Sequence, residues 1–290
     1  MKKGNFELKP CDLCGSTEAI EVPHCKDYTG NQIIHICKKC GLVYVPYRRS
    51  AEEVAKAWTE EMFASKVTNV SYTAHNPWMM GRLTSVTEFM DDKLGLKGKT
   101  IFDIGGGEGV FLDMARKKGA TKVFGIEPSK KNCAEMKRNN IDCFEGTIEQ
   151  FKGKEKADIA TMMWTFECCQ DPNAMLKKAN DILKDKGYIV WAGGSRILVP
   201  FKKPLHLYFN DKPLDVHPLH PSFNAIKGLF AKHGFKEVYH NRFIDSDIMI
   251  VIGQKISDKN LPWQGDDYLK VEDFFKRWHR ESLNYRENYD

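Results

Sequence analysis

Residues 99–109, KTIFDIGGGEG, decide how this chain is read. KTIFDIG predicts a buried strand, the glycine turn follows it, and GVFLDMARKKG then repeats its apolar residues at helical spacing. A strand that turns on glycines into a helix is the opening unit of a parallel α/β sheet. Downstream, the pattern repeats. Strand KVFGIE leads to a helix from Ser129 to about Asn140, and strand IDCF leads through GTIEQF to strand ADIATMM. A helix opening at Asp171-Pro172 runs through NAMLKKANDILKD, and strand GYIVWAG follows. An irregular, proline-rich stretch then precedes helix SFNAIKGLFAKHG and strands FKEVYH and SDIMIVIGQ. This order predicts an α/β fold, a Rossmann-like doubly wound sheet of seven strands.

The glycine turn also constrains the ligand. A dinucleotide fingerprint starting at Gly105 would require glycine at 110, where Val110 stands. The chain contains no G-x-x-x-x-G-K-[ST] phosphate loop either. Asp103, at the strand end, repels a pyrophosphate and suits a ligand carrying an ammonium group. Glu127 ends the next strand, in position to grip both hydroxyls of a ribose. An amino-acid moiety, a ribose and no phosphates together describe S-adenosylmethionine (SAM).

At these residues the chain resembles the class I SAM-dependent methyltransferases. The match runs in order through IFDIGGGEGVFL, VFGIEPS, FEGTIEQF, ADIATMMWTFECCQDP and ILKDKGYIVW, over roughly residues 75–255. The resemblance implies that Gly105 and Gly107 turn beneath the methionine moiety and that Asp103 orients its amino group. It implies that Glu127 holds the ribose with Pro128 beside it, and that Thr147 and Ile148 contact adenine. Met163 and Trp164 would floor the space between cofactor and acceptor. Many relatives carry Glu-His after the fourth strand, whereas this chain has Glu167-Cys168-Cys169. No histidine mechanism is available at that position, and the two thiols read as packing residues.

Cys11-x-x-Cys14 and Cys37-x-x-Cys40 are two matched pairs separated by 22 residues. Each pair sets two thiolates on one tight turn, and two turns supply tetrahedral S4 coordination for Zn2+. Cys25, His24 and His35 lie nearby, but four thiolates already close the set, so the metal is expected to be structural. A redox role for the pairs is the competing reading. Lys38, Lys39, Arg48 and Arg49 give this ribbon a basic rim, and Tyr44 and Tyr47 are candidates for stacking on bases. The preferred reading is a solvated face beside a docking edge. A ribbon of this kind joined to this methyltransferase pattern resembles sugar-modifying methyltransferases of bacterial polysaccharide and deoxysugar pathways. The C-methylating members carry a large further C-terminal domain, and only about 35 residues follow the sheet here. That difference favours O-methylation of a sugar or nucleotide-sugar.

Acceptor walls are built from loops at the carboxyl ends of strands, which directs attention to the insertion at 195–221. It holds His206, Tyr208, His217 and His220. His220 and His217 are the candidate general bases for a hydroxyl acceptor, with His220 preferred because it adjoins the helix start at Ser222. His206 and Tyr208 are candidate substrate contacts, and Arg196, Lys202 and Lys203 are candidates to meet a diphosphate. Before the sheet, VSYTAHNPWMMGR contributes Tyr72 and His75 as further substrate contacts on a helical lid, with Trp78 and the adjacent methionines read as core. The organisation expected is a zinc ribbon at 1–47, a helical linker or lid at 48–95, a SAM-binding domain at 96–255 and an amphipathic tail at 256–290. Phe274, Phe275 and Trp278 recur in that tail at helical spacing.

The 290 residues are 42% hydrophobic and 29% charged, which excludes a mainly disordered or collagen-like chain. No run of about 20 apolar residues suggests a membrane span, and no export signal is visible, so a cytoplasmic protein is expected. Lys and Arg exceed Asp and Glu by 44 to 39, a mild excess spread along the chain. The alternative function is an RNA methyltransferase whose ribbon grips RNA. Against it stand that mild charge and MMWTFE in place of an N-P-P-Y-type motif. A non-catalytic binding module is disfavoured because Asp103, the glycines and Glu127 are all present.

Overall fold

A computed structural model describes residues 6–57, 76–201, 203–209, 214–257 and 261–289. The N-terminal part is rich in turn residues and forms only short elements. These are strands β1 (Glu7–Leu8), β2 (Ala19–Glu21), β3 (His35–Cys37), β4 (Val43–Tyr44) and β5 (Tyr47–Arg48), with helix α1 (Cys25–Thr29) between β2 and β3. Helix α2 (Ala51–Ala57) opens on the expected capping box: the Ser50 amide and hydroxyl donate to Glu53 Oε2, and the Glu53 amide donates to Ser50 Oγ. Helix α3 (Pro77–Leu94) starts where Asn76 Oδ1 accepts from the Trp78 and Met79 amides.

The α/β part then runs β6 (Thr100–Ile104), α4 (Val110–Lys117), β7 (Lys122–Glu127), α5 (Lys130–Arg138), β8 (Asp142–Glu145), β9 (Ala157–Met163), α6 (Pro172–Ile182) and β10 (Leu183–Gly193). It closes with α7 (Leu205–Tyr208), β11 (Leu219–His220), α8 (Phe223–Lys232), β12 (Phe235–His240), β13 (Met249–Lys255) and α9 (Tyr268–Tyr289). Seven strands form one sheet in the order β12-β13-β10-β9-β6-β7-β8. The five from β10 to β8 pair in parallel, and β13 runs antiparallel to both its neighbours. Chain order reverses between β6 and β9, and a crevice opens at that switch point beyond the strand ends.

Two local expectations are corrected. The helix predicted through Asp185 stops at Ile182, because Leu183 already pairs with Ala157 and is buried in the sheet core. The insertion predicted to be irregular contains α7, a 3-10 turn at Leu214–Val216 and β11. Strand β11 pairs with β4, Leu219 opposite Tyr44 and His220 opposite Val43, and completes a four-stranded sheet β11-β4-β3-β2. The edge of the cysteine ribbon is therefore covered by the insertion.

Burial ties these parts together. Cys11, Leu13, Cys37, Cys40 and Leu42 share one core with Leu176, Trp191 and Phe230 of the large sheet's surroundings. The opposite face of the sheet packs on α3 and α4 through Val86, Met90, Phe111 and Leu112. A third core joins Ile34 and Ile36 of the ribbon to Phe209 of the insertion and Phe275 and Trp278 of α9. Among the described residues, no helix is long and apolar enough to cross a membrane.

Candidate active site

The first site is the crevice at the carboxyl ends of β6, β7 and β8. Gly105 adopts φ +73, and a Cβ there would lie 2.2 Å from Thr165 Oγ1, so only glycine fits this turn. Behind it, Asp103 is buried and sits in register with Thr161 of β9, whose hydroxyl donates to Asp103 Oδ1 at 2.6 Å. Burial raises the Asp103 carboxyl to about 7; the Thr161 hydroxyl pulls it down, and the nearby Glu127 adds to the rise. Glu127 is raised by burial as well, against the pull of three donors. Its Oε2 accepts from the Gly107 amide at 2.9 Å, and its Oε1 accepts from the Ser129 amide at 2.9 Å and Asn132 Nδ2 at 3.4 Å. These bonds aim the carboxylate into the crevice and leave acceptor capacity on it.

The crevice encloses about 260 Å³. Its walls include Gly105, Gly107, Glu127, Pro128, Thr147, Ile148, Met163 and Trp164, eight of the nine residues expected there from the sequence. Asp103 is the ninth, and it lies behind the turn rather than in the wall. Sequence reasoning missed Val54 of α2 and Asn132, Thr165 and Gln170, which also line the crevice. Val54 and Gln170 arrive by tertiary folding, whereas Asn132 sits one turn into α5, three residues after its cap Ser129, where a local signal did exist.

Trp164 forms a wall shared with a second cavity of about 510 Å³. It holds φ +53, an uncommon conformation for a bulky residue, while its amide donates to the Ala192 carbonyl at 2.8 Å. Strain of this kind persists only where the surroundings over-determine it, and it clusters at functional sites. The second cavity combines aromatic rings with charge. Tyr208 and Trp278 stand with ring centres 4.5 Å apart, and Phe201 stacks on Trp278 at 5.4 Å. Arg82 stacks 3.3 Å over Trp78 and binds Asp247 through Nε at 2.8 Å and Nη2 at 2.7 Å. Trp78, expected in the core, is 58% exposed and belongs to this wall.

Histidines distribute unequally. His217 lines the second cavity together with Glu167. Glu167 is fully buried; burial raises its carboxyl, while its own amide, the neighbouring His217, the Trp191 indole and the Gly194 amide oppose the rise. Trp191 Nε1 donates to Glu167 Oε2 at 3.2 Å. His220, the preferred base from sequence, is in neither wall: it is buried on β11 with Nδ1 3.1 Å from the Tyr208 hydroxyl. His206 sits beside Tyr285 of α9, also outside both walls, while Tyr208 does line the second cavity. Tyr72 and His75 lie outside the described residues. Cys168 and Cys169 both line the crevice, and burial pushes the Cys169 thiol well up. Phe274 and Trp278 were legible as a helix face but not as cavity walls.

The four cysteines of the two pairs converge. Cys11 and Cys40 sulfurs are 3.4 Å apart, as are those of Cys14 and Cys37, and all four lie within 4.8 Å of one another. With metal–sulfur bonds of about 2.3 Å, a tetrahedral S4 set has edges of about 3.8 Å, so the donor set fits Zn2+. Gly15 and Gly41 supply the positive φ that closes each turn. The Cys37 thiol is drawn well below its ordinary range by Cys11 and Cys40, whose own thiols rise in exchange. The expected basic rim is altered: Arg48 and Tyr44 are buried and Arg49 binds Asp215, leaving Lys38, Lys39 and Tyr47 exposed.

Comparison with known proteins places this geometry among relatives. A family model described as "Methyltransferase domain" matches residues 76–240. The ubiquinone biosynthesis O-methyltransferase of Coxiella burnetii is 30% identical over 112 residues, which is 36% of this chain and 47% of that protein. The chain thus spans about half the length of the curated relatives it matches. Among solved structures, the magnesium protoporphyrin IX methyltransferase of Synechocystis with bound SAH covers 71% of this chain and all of its own, at TM-score 0.53 and 13% identity. The 1,6-didemethyltoxoflavin-N1-methyltransferase of Burkholderia thailandensis, with its acceptor and S-adenosylhomocysteine bound, covers 74% of this chain and 95% of its own, at TM-score 0.53 and 12% identity. At these identities the structures show a shared fold.

Proposed function

This chain belongs to the methyltransferase-domain family, and on that premise we propose that it transfers a methyl group from SAM to a hydroxyl of a small polar acceptor, a sugar or nucleotide-sugar. The observation that carries the reading is the shared wall at Trp164. It separates a crevice walled by the buried acid Glu127 from an aromatic, charged cavity holding a histidine and a carboxylate. Bound in the crevice, SAM supplies a methyl group on a sulfonium, open to direct displacement by a nucleophile.

Protein residues position and deprotonate that nucleophile. The Gly105–Gly107 turn and Glu127 hold the amino-acid and ribose parts, and Thr147 and Ile148 border the adenine. Trp164 sets the direction of approach, and orientation of this kind supplies much of the acceleration in a displacement. His217 takes the hydroxyl proton on an imidazole nitrogen, and the buried Glu167 beside it stabilises the imidazolium that results. His217 is preferred to His220 because it lines the acceptor cavity. His220 instead positions Tyr208 through its ring nitrogen. Cys11, Cys14, Cys37 and Cys40 would hold a zinc ion whose role would be structural.

A tritiated-methyl transfer screen over nucleotide-sugar and RNA pools tests this reading. Label is expected in the sugar pool, and label confined to RNA would favour the ribbon-bound RNA alternative. In the same assay His217→Asn and Glu167→Gln are expected to lower kcat by about 100- to 10,000-fold for the histidine and less for the carboxylate, with S-adenosylhomocysteine affinity preserved. Unchanged turnover in His217→Asn across pH removes it from the mechanism.

A further inference from the structure

Arg196 is 4% exposed and lines the second cavity. Its backbone amide donates to the Gly194 carbonyl, and its Nη2 donates to the Ser246 carbonyl. Its Nη1 is buried with no hydrogen-bond partner. A neutral carbonyl satisfies an N–H but does not balance a charge, and Asp247, an acid that acts on this buried guanidinium, is shared with Arg82.

The acids in the same wall are already committed. Asp247 is held by Arg82 through two nitrogens. Glu167 accepts from the Trp191 indole and faces His217. Among the described residues the wall therefore carries three cations, Arg82, Arg196 and Lys203, against these two acids. Lys203 extends its ammonium 5.5 Å over the Tyr208 ring, beside the aromatic surface made by Tyr208, Phe201 and Trp278. Neither a plain hydrocarbon nor a neutral sugar answers the buried guanidinium. A ring lying on the aromatic wall with an oxyanion at its edge answers both.

We propose that Arg196 is the specificity determinant of the acceptor cavity, and that the acceptor is an anionic molecule whose carboxylate or phosphate oxygen meets the Arg196 guanidinium in the cavity wall. This deepens the methyl-transfer reading and rests on it only for calling the second cavity the acceptor site. The planar guanidinium supplies a charge-assisted hydrogen bond of the kind carboxylate and phosphate share. The two sources differ in charge and reach, which the choice of probes separates.

The test uses the full chain with its metal and saturating S-adenosylhomocysteine, whose own affinity is measured first. Calorimetric titrations then compare glucose, glucuronate, glucose 1-phosphate and UDP-glucose at matched ionic strength. At least one anionic probe is expected to bind about tenfold or more tightly than glucose, and Arg196→Gln is expected to erase that preference. Preference for glucuronate identifies a carboxylate, preference for glucose 1-phosphate a monophosphate, and preference for UDP-glucose alone a diphosphate. Arg196→Lys, which keeps the charge and loses the fork, is expected to retain part of the preference and serves if Arg196→Gln does not fold. Equal binding of glucose and all three anions, no binding by any anion, or an anion affinity in Arg196→Gln within twofold of the unaltered protein overturns the proposal. The titrations are repeated without S-adenosylhomocysteine, so the anion preference is scored in either case, and a wild-type chain that fails to bind S-adenosylhomocysteine strikes the methyl-transfer reading instead.

Discussion

Arg48 offers a direct test of how the cysteine ribbon is held on the body. Its side chain is wholly buried and makes four hydrogen bonds. Nη1 and Nη2 reach the two oxygens of Asp12 at 3.2 and 2.6 Å, Nη1 also reaches the Gln170 carbonyl at 3.0 Å, and Nε reaches the Val45 carbonyl at 2.7 Å. Replacing it by Met in Arg48→Met keeps much of the volume and removes every donor. The Asp12 carboxylate, with 9% of its side chain exposed, then loses its counter-charge, and two buried carbonyls lose their partners. Removing one member of a buried pair costs about 3–5 kcal/mol, because the remaining charge stays desolvated. Removing both charges in Arg48→Met/Asp12→Leu leaves only the carbonyls, each costing about 1–3 kcal/mol when unsatisfied, so the double variant is expected to recover at least part of the loss. Urea unfolding of the metal-loaded protein measures both, and the midpoint of thermal unfolding should fall by roughly 10 °C in the single variant. A loss below about 1 kcal/mol in Arg48→Met, or a double variant no more stable than the single one, would refute the argument. The Gln170 carbonyl belongs to a crevice residue, so the single variant should also weaken S-adenosylhomocysteine binding.

Two further outcomes follow from buried chemistry. Asp103 has an ordinary carboxyl value of 3.8 and a folded value of about 7, so between those pH values the folded state holds a proton that the unfolded chain has released. Stability of the ligand-free protein therefore falls as pH rises through that window, and Asp103→Asn flattens the trend; equal urea midpoints at pH 5 and pH 8 in the unaltered protein would contradict this sign. Metal analysis of freshly reduced protein is expected to give about one zinc per chain, and stripping it should destabilise the body as well as the ribbon, since Cys11, Cys37 and Cys40 share the main core. Absence of zinc, or a stripped protein that melts unchanged, would separate the cysteines from metal binding.

Local chemistry made much of this protein legible from its sequence alone. Strand and helix periods set the succession of elements that makes a seven-stranded α/β sheet, since a turn of three glycines between a buried strand and an amphipathic helix has few other uses. The acids Asp103 and Glu127 were likewise readable at the carboxyl ends of two adjacent strands, and the resemblance to class I SAM-dependent methyltransferases supplied the rest of the crevice wall. Paired C-x-x-C turns announced their convergence by spacing. What depended on distance along the chain was decided only by tertiary structure. Strand β11 lies about 175 residues after β4, yet pairs with it, and that pairing turns His220 toward Tyr208 and leaves His217 to face the cavity. Arg48 read as a surface cation until Asp12 and Gln170 enclosed it. Trp278, on the final helix, entered the acceptor wall through contacts with the insertion. The physical reason is common to all three: periodicity and capping report which face of an element is buried, whereas the group that meets a buried charge or ring depends on how distant segments pack around it.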